Sequence, residues 1–248
     1  MSPEQLTEKV DPALGAVGAA FYFTPETLAR GKEMGLDGLR FYFLGRGGVL
    51  GDVEYQVVQS AFGYFAPSLV QKMWDTGRER TELGPRDVGR LYVECSRDFG
   101  RRQFATTAGL ASFCAVAERV VQSTHPAGLA LFAALAAEPL ADDLPARAMQ
   151  LVTVLRELRG SVHLLAVVAS GVEPRVAHCV RRPDDFTSFG YAEEERPFIG
   201  EPERLGMEAV DSLTDRLMAA VYGVLSETER ADLAAGVARM TADAGPLH

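Results

Sequence analysis

Apolar positions recur at three- and four-residue intervals along most of this chain, the spacing of helices buried on one face. Leu110, Phe113, Cys114, Ala117, Val120 and Val121 form one such stripe within 106–122. Leu144, Ala148, Leu151, Val152, Leu155 and Leu158 form another within 144–158. Thr24-Pro25-Glu26 supplies the cap, proline and acid of a helix start, and that helix is expected to run toward Gly35. Gly84-Pro85 opens a further helix through Leu91, Val93 and Cys95 to Phe99. Pro12 and Pro126 read as first-turn prolines, where a missing N–H costs nothing. Toward the end, Leu213, Leu217, Val221, Val224 and Leu225 make a stripe, Ser226 to Glu229 reads as a capping box, and Leu233, Val237 and Met240 make the last stripe. Alternation is scarce. The segment 184–198, DDFTSFGYAEEERPF, fits a short hairpin around Gly190 or a loop.

The elements repeat in order. Val10 to Phe21 answers Thr124 to Leu135 at an offset of 114, each a proline followed by small and apolar residues. Val57 to Val70 answers Leu165 to Ala177 at an offset near 107. Each half then holds a helix, a glycine turn and a second helix: Val53–Phe62, Gly63 and Pro67–Trp74, then Val162–Ser170, Gly171-Val172 and Glu173–Arg182. The expected fold is mainly α, with two tandem winged-helix-like halves at 1–105 and 106–205 and a C-terminal helical extension at 206–248.

Charge and cysteine usage narrow the function. A net charge of −9 opposes a phosphate backbone, so DNA binding would need a local basic face. Cys95, Cys114 and Cys179 have no CxxC spacing, and no histidine pair has metal-ligand spacing, so neither a metal nor a named cofactor is implied. The start MSPEQLTEKVDP lacks the apolar core of a signal peptide, and the apolar runs are too short to span a bilayer. The chain reads as reduced and cytoplasmic.

LRELRGSVHLLAVVASGVEP, DSLTDRLMAAVYGVLSETERADL and FYFLGRGGVLGDVEYQVVQSAFGYFAPSLV together resemble an actinobacterial helix-turn-helix-like family known from genome sequences. The resemblance covers about Val10 to Met240 and implies a fold without a settled activity. The terminal helices are similar to those of MarR-type regulators, whose last helix opens with Leu-Ser-x-x-Glu. The family's second half carries an arginine-glycine-acid-glycine-histidine run. Arg159, Gly160, Ser161, Val162 and His163 stand there in this chain, without the acid and the second glycine.

The candidate chemistry lies at the glycine turns. FYFLGRGGVLGD, from Phe41 to Asp52, is read as a sharp corner between helices that presents Arg46 to a cavity. Arg46 and Asp52 either pair with each other or offer a guanidinium and turn amides to an anion. Arg159 and His163, four apart, lie on one helix face. If the halves are related by a pseudo-twofold, Arg46 and Arg159 face one cleft. Tyr22 and Tyr42 belong to triplets that cannot point wholly inward from one helix, so they are expected to supply polar handles to an apolar pocket. The leading expectation is a small-molecule sensor or sequestering protein using this cleft. A DNA-binding regulator is the alternative, with Arg175, His178, Arg181 and Arg182 on its second-half helix against the acids Asp184, Asp185 and Glu193 to Glu195. The first-half counterpart offers Gln71 and Lys72, then Arg78 and Arg80. A further alternative is an enzyme with His163 as acid or base. A homodimer is a possible assembly, and no membrane partner is expected.

Overall fold

Ser2 accepts the Gln5 N–H, and the Gln5 side chain accepts the Ser2 N–H in return. This reciprocal cap sets the start of α1 (Pro3–Ala19) in the computed structural model, which describes residues 1–245. There follow α2 (Pro25–Glu33), α3 (Gly38–Gly48), α4 (Tyr55–Phe62), α5 (Pro67–Arg78), α6 (Pro85–Gln103), α7 (Leu110–Ser123), α8 (Ala130–Ala136), α9 (Leu144–Ala169), α10 (Pro174–Arg181), α11 (Glu201–Tyr222) and α12 (Glu227–Asp243). No strand occurs among the described residues. The expected wings are therefore absent from them. The segment that allowed a hairpin around Gly190 forms 3-10 turns at Pro183–Asp185, Thr187–Phe189 and Glu193–Glu195. Among the described residues no helix is long and apolar enough to cross a membrane.

The helix α9 is the axis. It packs against α1, α6, α7, α8 and α11, while α3 lies on α6 and α5 beyond it. The expected helix 144–158 and the separate one from Val162 are a single 26-residue helix. Gly160 would weaken it by about 1 kcal/mol relative to alanine. The buried face passes the glycine without a break, through Leu155, Leu158, Val162, Ala166 and Val167. Burial of each large apolar side chain is worth about 1.5–3 kcal/mol, so packing outweighs the local preference. One apolar core runs from Leu6 to Ala244 and draws on all three stretches of the chain. A smaller cluster, Ala166, Val167, Ala177, Met207 and Val210, joins α9, α10 and α11.

Two features differ from sequence expectation for the same reason, enclosure by neighbours. Pro12 stands inside α1, not in its first turn, and Pro126 lies in the turn before α8. An interior proline costs about 3 kcal/mol, and the buried residues Leu6, Val10, Leu14 and Val17 on the same helix offset it. The run Phe41 to Gly48 is not a corner but α3 itself. Its glycines let another helix approach: a Cβ on Gly48 would lie 2.1 Å from the Pro85 carbonyl oxygen, and one on Gly89 2.8 Å from the Val49 nitrogen. The backbones of α3 and α6 thus touch, and α5 and α2 cover other sides. Phe41, Tyr42, Phe43 and Leu44 are consequently all buried. In the first triplet Phe21 and Tyr22 are buried and only Phe23 emerges.

Candidate functional site

Arg46 projects from α3 toward α9 and meets Glu157. Its Nε donates to Glu157 Oε1 at 2.9 Å, its Nη2 to Oε2 at 2.8 Å, and its Nη1 to the Tyr42 hydroxyl at 3.0 Å. The Tyr22 hydroxyl also donates to Oε1, at 3.1 Å, and Arg156 Nη1 does so at 2.7 Å. The guanidinium of Arg156 lies over the Tyr22 ring, and that of Arg46 lies 4.4 Å from the Phe62 ring centroid. Glu157 is 2% exposed. Burial alone would raise its pKa, but Arg46 and Arg156 and the bonds from Arg46 and Tyr22 overcome it and hold the carboxyl down to about 2. Beside this cluster is a narrow cavity of about 20 Å³, lined by Arg46, Glu157, Tyr22, Tyr92, Leu131 and Leu135 among others. That is room for a single water-sized occupant.

Arg159 serves a different cluster. Glu157 and Arg159 are two apart in α9, so their side chains leave different sides of the helix. Arg159 Nε lies 3.2 Å from Asp11 Oδ2 on α1, yet neither atom has a well-directed hydrogen bond. Tyr222 of α11 donates to Asp11 Oδ1 at 2.9 Å. Burial pushes the Asp11 carboxyl up to about 6, more than Tyr222 and Arg159 can counter, and Asp215 adds to the rise. One turn along α9, His163 Nδ1 lies 3.0 Å from Thr214 Oγ1. The single Thr214 hydroxyl proton goes to the Val210 carbonyl at 2.8 Å. His163 Nδ1 must therefore be the donor, which leaves Nε2 with an open lone pair. Burial, then Arg159 and Arg181, lower its pKa to about 4, so the ring is neutral near pH 7. Tyr64 stacks loosely on it, with centroids 6.3 Å apart, and the Tyr64 hydroxyl is buried without a protein partner.

Arg46 and Arg159 thus do not meet in one cleft; each is committed to its own carboxylate. Arg46 does not pair with Asp52, which pairs instead with Arg78 at 2.7 Å on the surface. Tyr22, Tyr42 and Arg46 are brought together, as are Arg159 and His163. Sequence reasoning missed Glu157, Arg156, Asp11 and Thr214. Glu157 carried a usable signal, an acid between Leu155 and Leu158 in an apolar stripe. Asp11 and Thr214 carried none.

Two segments share one local form. The helix α4 ends at Gly63, with φ of +66°, and α5 restarts at Pro67; α9 ends before Gly171, with φ of +70°, and α10 restarts at Pro174. Glycine takes this backbone conformation without the penalty that a Cβ brings. The sequence profile of a helix-turn-helix family matches residues 7–201, a span that contains both segments. The chain belongs to this helix-turn-helix family. No curated protein and no solved structure matches it.

The two glycine-turn helix pairs offer different surfaces. On α10, Arg175 bonds Glu173 at 3.4 Å, Arg181 pairs with Asp211, and His178 is buried with its ring centroid 3.9 Å from that of Phe189. Only Arg182 of that basic set is exposed with no side-chain partner among the described residues. On α5, Ser68, Gln71 and Lys72 are exposed at helical spacing, and none has a side-chain hydrogen bond among the described residues. Val58, Phe62 and Trp74 close around Gly47 behind them, and Trp74 Nε1 donates to the Val53 carbonyl at 3.0 Å.

Proposed function

We propose that this protein is a DNA-binding regulator in which α5 is the helix that enters the groove. Membership of the helix-turn-helix family over residues 7–201 carries the reading. The open face Ser68, Gln71 and Lys72 supports α5 over α10, whose arginines are largely spent on acids of the same chain. Glutamine suits the adenine edge, and lysine suits guanine or a phosphate. With a net charge of −9, affinity depends on few phosphate contacts and falls with added salt. Selection from a random duplex pool at low salt, followed by anisotropy titrations at two salt concentrations, tests this. Lys72→Ala is expected to weaken binding to all duplexes and to lower the salt slope by about 1. Failure of the wild-type chain to retain any duplex at low salt would end the proposal.

The cavity between Arg46 and Tyr92 favours a second role beside the first, sensing of a small ligand. It lies next to Phe62, the last residue before the α4–α5 turn, through the contact of Arg46 with that ring. A ligand there would act on the turn. A change in DNA affinity on adding ligand tests this role.

A further inference from the structure

We infer that the acidic segment 183–196 docks on the start of α5 and competes there with DNA, an autoinhibitory contact within the chain. The inference rests on the reading of α5 as the groove-entering helix and adds the regulation of that helix.

The contact is specific on both sides. The Ala66 N–H, at the cap of α5, donates to the Phe189 carbonyl at 2.8 Å. The Phe189 ring stacks on Phe65 in the α4–α5 turn, with centroids 4.2 Å apart and planes 6° from parallel. The His178 ring of α10 also packs on Phe189, and Phe186 is fully buried, so the segment is anchored at its other side too. Gly190 has a φ of +90°, and a Cβ there would lie 2.6 Å from Leu69 Cβ on α5. Leu69 and Lys72 are three apart and therefore neighbours on the helix surface. The segment thus covers the turn of α5 just before Lys72.

Charge gives the contact its consequence. Residues 183–196 hold five carboxylates and one arginine, a net charge of −4. The arginine, Arg196, is taken by Glu193. Asp184, Asp185 and Glu194 are exposed and have no ion pair among the described residues. Asp185 stands four residues before Phe189, about 8 Å along the chain at the rise of the turns between them. That is within the Debye length of about 8 Å at physiological salt. A phosphate backbone along Ser68, Gln71 and Lys72 would meet these carboxylates, and like charges brought together oppose binding. The hold on α5 is one hydrogen bond, one ring stack and the seat of Gly190 on Leu69, small enough for a change of partners.

Anisotropy titrations of the full chain with a duplex that the wild type retains at low salt test this. The triple variant Asp184→Asn, Asp185→Asn, Glu194→Gln keeps the docking contacts and is expected to bind about tenfold tighter. A control set, Glu8→Gln, Glu208→Gln, Asp232→Asn, removes the same charge from exposed positions on α1, α11 and α12, which pack away from α5. It is expected to gain less than about twofold, because screening removes distant charges from the balance. Gly190→Val is expected to undock the segment, seen without DNA as faster hydrogen exchange at the Ala66 amide, and to tighten binding. An equal gain in the two charge sets would overturn the inference, because total charge alone would then act. So would a Gly190→Val chain that frees Ala66 and binds no tighter. Wild-type binding without any such gain defeats the autoinhibition alone, whereas failure of every chain to bind a duplex defeats the DNA reading with it.

Discussion

Glu157 and Arg159 stand two residues apart on α9, and each forms a long-range ion pair, yet the two pairs differ in kind. Glu157 receives four hydrogen bonds, two from Arg46 and one each from Arg156 and Tyr22, and its carboxyl sits near 2 despite deep burial. Asp11 has one tyrosine bond and a poorly directed arginine, and its carboxyl sits near 6. Burial is nearly equal, with Glu157 2% and Asp11 3% exposed. The guanidinium charges beside each carboxylate, two for Glu157 against one for Asp11, and then the hydrogen bonds it receives decide how far its pKa is held down, not depth.

Arginine removal should separate the pairs most. Arg46→Met is expected to destabilise by about 3–5 kcal/mol, because it strips the buried Glu157 carboxylate of its bidentate partner. Arg159→Met should cost only about 1 kcal/mol, since Asp11 can protonate and the arginine is partly exposed. Urea unfolding at pH 6 compares them, and equal losses would erase the distinction.

Acid titration is the next lever. The folded pKa of Glu157 lies below its unfolded value, so its stabilisation is present above the ordinary carboxylate range and is lost as pH falls toward about 2. Glu157→Gln should lack that acid limb in unfolding curves taken between pH 5 and 2.

A subtler effect sits in the second cluster. Asp11 has a raised folded pKa, so its contribution falls as pH rises from the usual carboxylate range to about 6. His163 has a lowered one, so folding gains as pH rises from about 4 to the usual histidine value. The two slopes oppose each other, and the wild type should be nearly flat between them. His163→Gln should lose stability over that interval as pH rises, and Asp11→Asn should gain it. Two parallel profiles would refute the pairing of opposite shifts.

Asp52→Asn supplies the smallest effect. Its pair with Arg78 is at the surface, and the loss should stay within about 0.5 kcal/mol by denaturant midpoint.

The elements were largely readable because their signals are local. The Thr24, Asp143 and Ser226 caps, the prolines at the starts of α2, α5, α6 and α10, and the glycines at 63 and 171 each act within a few residues. The misreadings arose where neighbours overrule the local signal. The aromatic triplets were not expected to face wholly inward, yet Phe41, Tyr42 and Phe43 are all buried, because each face of α3 meets another element. Gly45 to Gly48 looked like a turn, because close helix crossing and chain reversal use the same residue. In the candidate site, Arg46 and His163 stood out as chemistry, while their partners Glu157 and Thr214 lie 111 and 51 residues away along the chain.

Composition and spacing were thus enough for an all-helical chain with two glycine-turn helix pairs, since capping and periodicity act between residues a turn or two apart. Which carboxylate each arginine meets and whether a tyrosine keeps a free hydroxyl depend on how α1, α3 and α6 crowd onto α9. Such contacts join distant positions through packing, and no local pattern encodes them.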